Sequence, residues 1–171
     1  SALDRGERVG GMIVKQQQIT DFRPARSRHT VLSLIGEMAT GDPNHSDGPE
    51  LSLAEQLEQL RRIARPGSSV FLISDFHDGL EEGALESLRK LVRHVQITAV
   101  AVHDPLEREL PQAGHYVVAD DMGRSALDTG DPRLRNRYEI AFDEHFSALT
   151  TAFQGLRIPI IRMSTDEAPL A

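Results

Sequence analysis

Cysteine and tryptophan are absent from the 171 residues. Without cysteine there is no disulfide, no thiolate metal site and no cysteine nucleophile. Aromatic residues make up 5% of the chain, so stacking platforms for bases or sugars are scarce. No apolar run approaches the ~20 residues that a membrane-spanning helix needs. Basic residues are outnumbered by acidic ones, 19 to 26, and the formal net charge is -7. Such a surface repels phosphate backbones, so no nucleic-acid partner is expected. Neither a basic n-region nor an apolar h-region follows Ser1, so no signal peptide is visible. The chain is expected to be a piece of a longer cytoplasmic protein, one whose upstream part has room for a membrane anchor.

What is present is the composition of a folded domain: 39% hydrophobic and 26% charged residues. A single domain over 1–171 is expected from this length. Residues 7–15 and 16–22 read as two strands of a hairpin, the first weakened by Gly10-Gly11, with Pro24 ending the run. A helix is expected over 27–40, with Val31, Leu34, Ile35 and Met38 as its apolar stripe. Residues 41–50 are loop by composition. Ser52 and Glu55 form a capping box that opens a second helix. Ser69 to Ser74 is a short apolar run of the kind buried on both faces of a parallel sheet. A helix over 82–93 and a strand over 95–102 follow. Residues 104–114 read as loop, 115–119 as a strand, and 124–128 as its hairpin partner. Asp131-Pro132 starts the longest helix, with Gly155 at the C′ position. Residues 158–163 form the last strand, with Pro159 suited to an edge.

Strands alternating with helices predict an α/β fold of three layers, Rossmann-like, around a mostly parallel sheet of about five or six strands. Ligands on such sheets bind at the C-terminal ends of the strands. Two strand ends here carry polar residues: Asp75, His77 and Asp78 after the first, His103 and Asp104 after the second. Carboxylates at that edge can ligate a hard cation, and the histidines can ligate a transition metal. The simpler roles are structural. Asp at such positions holds turns and caps helices, and Ser52 caps more readily than it ligates. Tyr138 and the phenylalanines of the last helix read as core. Arg133, Arg135 and Arg137 read as a solvated face, and Glu107 to Glu109 as a soluble or partner-contact loop.

The string from Phe71 to Asp78, F-L-I-S-D-F-H-D, resembles the Asp-terminated strand of von Willebrand factor A-like domains. His103 to Pro111, then Gly114, Asp120, Gly123, Asp128-Thr129, Arg137-Tyr138 and Ser164-Thr165-Asp166 resemble the C-terminal half of a bacterial family, the domain of unknown function fifty-eight. Glu7–Gly11 and Arg23–Arg28 are similar to its earlier part. The resemblance implies a Rossmann-like A-domain, often encoded beside a MoxR-type AAA+ ATPase and thought to act in chaperone-like or complex-maturation roles. It also implies a Mg2+ site in a full-length protein, where Asp75 matches one ligand position and Ser52 falls near another. The D-x-S-x-S motif of that site, and the first strand that carries it, are missing here. A lone Asp and Ser hold Mg2+ poorly, so no metal and no other cofactor is expected for this chain.

The resemblance leaves two functional expectations. The first is a non-enzymatic interaction module that meets a protein partner, an AAA+ ATPase among the candidates, through Asp75, His77, Asp78, Asp104 and Glu107. The alternative is a metal-dependent hydrolase using Asp75, His77, Asp78 and Asp104, which requires those side chains to converge. The missing strand further predicts unpaired strand edges. These would be met by direct pairing of the hairpin with 70–73 or by a homodimer.

Overall fold

A computed structural model describes residues 6–15, 18–40, 51–111, 114–120 and 123–167. The expected loop at 41–50 lies outside the described residues. The chain divides into two compact units, Ser1–Arg65 and Pro66–Ala171, and each is described by itself.

In the first unit, β1 (Val9–Lys15) pairs antiparallel with β2 (Gln18–Ala25). Gly10 sits at the bulge between Val9 and Gly11. A Cβ on Gly10 would meet the Phe22 carbonyl oxygen at 2.5 Å, and one on Gly11 would meet Leu34 Cδ1 at 2.5 Å. The two glycines therefore permit a close approach of chain and helix, a stronger constraint than the weakening of a strand. Pro24 lies within β2 instead of ending it. Leu34 belongs to α1 (Arg28–Ala39), whose end is tied back by Lys15: its Nζ donates to the Glu37 carbonyl at 2.7 Å and pairs with Glu37 Oε1 at 2.9 Å. The expected stripe on α1 is only half inward, because Ile35 and Met38 are more than half exposed.

Helix α2 (Leu53–Ile63) opens on the capping box expected at Ser52. Glu55 N–H donates to Ser52 Oγ at 3.3 Å, and the Ser52 N–H donates to Glu55 Oε2 at 2.9 Å. Hydrogen bonds from Ser52 hold the Glu55 carboxyl below its ordinary pKa. A lowered folded-state pKa contributes stability at neutral pH that is lost as pH falls through the lowered value. Ser52→Ala is expected to cost about 0.5–2 kcal/mol, as loss of an N-cap serine does. It should also move the Glu55 titration upward. A urea melt and a carboxyl NMR titration check the two effects.

In the second unit, β3 (Ser69–Ser74), β4 (Gln96–His103) and β7 (Ile160–Ser164) form a parallel sheet in the order β3-β4-β7. β4 is central, and its Ile97, Ala99, Val100 and Ala101 are buried. The helix crossing from β3 to β4 is α3 (Glu82–Leu91), which buries Ala84, Leu88 and Leu91. The short α4 (Pro105–Arg108) follows β4. The 24-residue α5 (Pro132–Gly155) leads to β7 and buries Leu149 and Phe153. Between them, β5 (His115–Asp120) pairs antiparallel with β6 (Gly123–Asp128).

The expected α/β architecture is present, but the expected five or six strands are not in one sheet. β1 and β5 each find a sequence-adjacent antiparallel partner, so their ladders close locally and the parallel sheet keeps three strands among the described residues. The left-handed residue after α5 is Arg157, at φ 57°, and not Gly155, which is still helical. Arg135 is no solvated side chain: its guanidinium donates to the Pro111 carbonyl at 2.8 Å and the Thr129 carbonyl at 3.3 Å.

Candidate functional site

The C-terminal ends of β3 and β4 open into a half-enclosed cavity of about 270 Å³ in the second unit. Asp75 and His77 border it from the loop after β3, His103 from the end of β4, Glu107 from α4, and Tyr138 and His145 from α5. Its apolar lining comes from Ala101, Val102, Ala141, Phe142, Phe146 and Leu149.

Local chemistry fixes each rim residue. Asp75 makes an Asx turn, its Oδ1 accepting from the His77 N–H at 3.3 Å and from Ser74 Oγ at 3.3 Å. Ser74 Oγ in turn accepts from the Phe76 N–H at 3.1 Å. Phe76 has φ 51°, a left-handed backbone that a bulky residue adopts only when its surroundings enforce it. The enforcement is visible. The Phe76 ring is 4% exposed and meets Phe153 edge-on, with centroids 5.2 Å apart at 70°. Burying Phe76 turns its neighbours Asp75 and His77 outward, where both are exposed.

Asp104 is the N-cap of α4, accepting from the Leu106 N–H at 2.8 Å, with Glu107 completing a capping box. Its second oxygen accepts from Thr165 Oγ1 at 3.3 Å. Tyr138 Oη donates to the Leu106 carbonyl at 3.0 Å and fastens α4 to α5. Burial, and then the nearby Glu107 charge, push the Tyr138 pKa up. A raised pKa on an acid means that folding favours its neutral form, so stability falls as pH rises through the alkaline range. Tyr138→Phe should remove the late step from an ultraviolet alkaline titration and cost about 0.5–1.5 kcal/mol.

Arg162 on β7 lies over Phe142 and Phe146, with its guanidinium carbon 4.6 Å from each ring centroid. The His103 ring lies 5.3 Å from that of Phe142. These contacts hold the two phenylalanines in fixed positions beside the strand end.

Of the expected site residues, the structure brings Asp75, His77, His103 and Glu107 to one cavity. Asp78 is exposed and does not line it, and Asp104 is spent on its cap. Ser52 belongs to the first unit, with its hydroxyl in a cap. Among the described residues, no three His, Asp or Glu side chains stand where they could share a metal ion. The convergence that a metal-dependent hydrolase requires is therefore not found there, and the residues present do not fit a Mg2+ site. Sequence reasoning missed α4, although Asp104-Pro105 repeats the Asp-Pro order that marks the start of α5. It also missed His145, one turn from Phe142 and two from Tyr138 on the stripe that reaches Leu149, a spacing that could have exposed it.

A family model described as "Protein of unknown function DUF58" matches residues 1–148. The uncharacterised protein Rv1480 of Mycobacterium tuberculosis is 29% identical over 171 residues, covering 97% of this chain and 52% of that protein. Mb1516 of Mycobacterium bovis matches to the same extent. The chain thus spans about half the length of these curated relatives. MAV169 of Mycobacterium avium is 32% identical over 149 residues, with 84% of each chain covered. Among solved structures, the conserved hypothetical protein BatB of Bacteroides thetaiotaomicron superposes with a TM-score of 0.55 at 13% identity, over 92% of this chain and 71% of that one. An aerotolerance-related membrane protein of Bacteroides fragilis gives the same TM-score and identity, over 92% and 72%. These two likenesses concern the fold, and no helix among the described residues is long and apolar enough to cross a membrane. By the family match and the mycobacterial relatives, the chain belongs to the family described as protein of unknown function DUF58.

Proposed function

We propose that this chain is a non-enzymatic interaction module that receives a protein partner at the strand-end cavity. One observation carries the reading: the cavity joins an apolar lining to Asp75 and Glu107, two exposed carboxylates held by local hydrogen bonds. A preformed apolar hollow with a few fixed polar groups is the usual form of a recognition site. The acidic rim groups suit a basic partner surface and speed encounter with it. The favoured partner is a MoxR-type AAA+ ATPase, in a chaperone-like or complex-maturation role. That choice follows the family resemblance.

The test is binding of such an ATPase to the protein and to its Asp75→Ala/Glu107→Ala double variant. The variant should keep its melting temperature within a few degrees and bind about tenfold more weakly, a loss of ~1.4 kcal/mol. Equal binding by both would reject the cavity rim as the contact surface.

A further inference from the structure

The cavity specifies more than a contact surface. Resting on the interaction reading above, we infer that it takes one aromatic side chain of the partner, flanked on both sides in the partner's sequence by lysine or arginine. Its volume, about 270 Å³, falls below the ~300–1,000 Å³ typical of drug-sized ligand sites and exceeds the ~150 Å³ that holds a benzene. One bulky side chain matches that range, and the Phe142 and Phe146 rings in the lining favour an aromatic one.

The walls agree with the size. Val102, Ala141, Phe142 and Leu149 offer carbon to the ring, and His77, His103 and His145 add polar ring edges to the same lining. Asp75 and Glu107 are exposed and reach the lining from two different elements, so cations on both sides of the inserted residue each have a carboxylate to meet. This chain has no tryptophan, and none of its eight Phe and Tyr residues lies between two Lys or Arg residues. A second copy of these 171 residues therefore does not supply the occupant, and the partner of the reading above is the occupant assigned.

Three acetylated, amidated tripeptides test the inference by amide NMR titration of the whole chain: Lys-Trp-Lys, Glu-Trp-Glu and Lys-Ser-Lys. Lys-Trp-Lys should shift the amides of Val102, His103, Glu107 and Phe142. It should bind about tenfold or more tightly than Lys-Ser-Lys, as burial of an aromatic ring predicts. Glu107→Gln should weaken it up to about fivefold. Ala141→Leu should abolish the shifts by filling the cavity. Ala141 is exposed on a helix and leucine is a strong helix former, so this variant keeps the fold. Equal response to all three peptides, shifts away from the cavity, or unchanged binding by Ala141→Leu would overturn the inference.

The two readings fail separately. Suppose the ATPase binds Ala141→Leu as well as it binds the parent chain, but loses the Asp75→Ala/Glu107→Ala variant. Then the rim contact stands and the aromatic anchor falls. Unchanged ATPase binding by the double variant rejects the rim contact itself, whatever the tripeptides do.

Discussion

Phe153→Ala is expected to destabilise the second unit by about 3–5 kcal/mol, the range for truncating a large buried aromatic. Phe153 is 0% exposed and is among the largest fully buried side chains described. Its removal deletes carbon from the centre of the unit and leaves a cavity that rigid neighbours cannot fill. It also takes away the ring against which Phe76 rests. The effect should therefore exceed simple burial loss and reach the functional loop. A guanidinium melt followed by circular dichroism gives the stability change. Amide exchange at 75–79 should accelerate in the same variant, because the loop loses its inner support.

Substitution at Phe76 separates packing from backbone strain. Phe76→Ala loses the buried ring and keeps a side chain at φ 51°, at a cost of about 3–5 kcal/mol. Phe76→Gly loses the same ring, but glycine adopts the left-handed region freely, a relief of about 1–2 kcal/mol. The glycine variant should therefore be the more stable of the two, although glycine usually costs stability relative to alanine. Both should weaken partner binding, since Asp75 and His77 owe their placement to the anchored ring between them. A double-mutant cycle of Phe76 and Phe153 should show coupling of about 0.5–1.5 kcal/mol, as edge-to-face aromatic pairs do. An alanine variant more stable than the glycine one would contradict the strain at this position.

Much of this arrangement was legible in the chain itself. The strand Ser69–Ser74 has the bounds its apolar run between breakers predicts, although it is not buried on both faces, since Phe71 and Ile73 are exposed. Ser52 and Asp131 cap helices as their flanking residues predict. These features are local, and local chemistry decides them. Both hairpins were legible, but that the parallel sheet keeps only three strands among the described residues was not, because a strand can pair with its hairpin neighbour or with a sheet through the same backbone groups. A short strand's apolar pattern does not say which partner wins. The buried anchor in Asp75-Phe76-His77 was hidden for a related reason. Loop composition marks a turn, but the ring that pins this one arrives from a helix 77 positions later. Tyr138 and Phe142 look like core from their helical spacing. Only the sheet's geometry shows that the stripe ends in an open hollow.

Amide hydrogen exchange of the chain alone and bound to a MoxR-type ATPase tests the central claim most directly. Protection on binding should concentrate at residues 75–78, 102–108 and 138–146, where the strand ends, α4 and α5 surround the cavity. Protection confined to other surfaces, with those three segments unchanged in the complex, would contradict it.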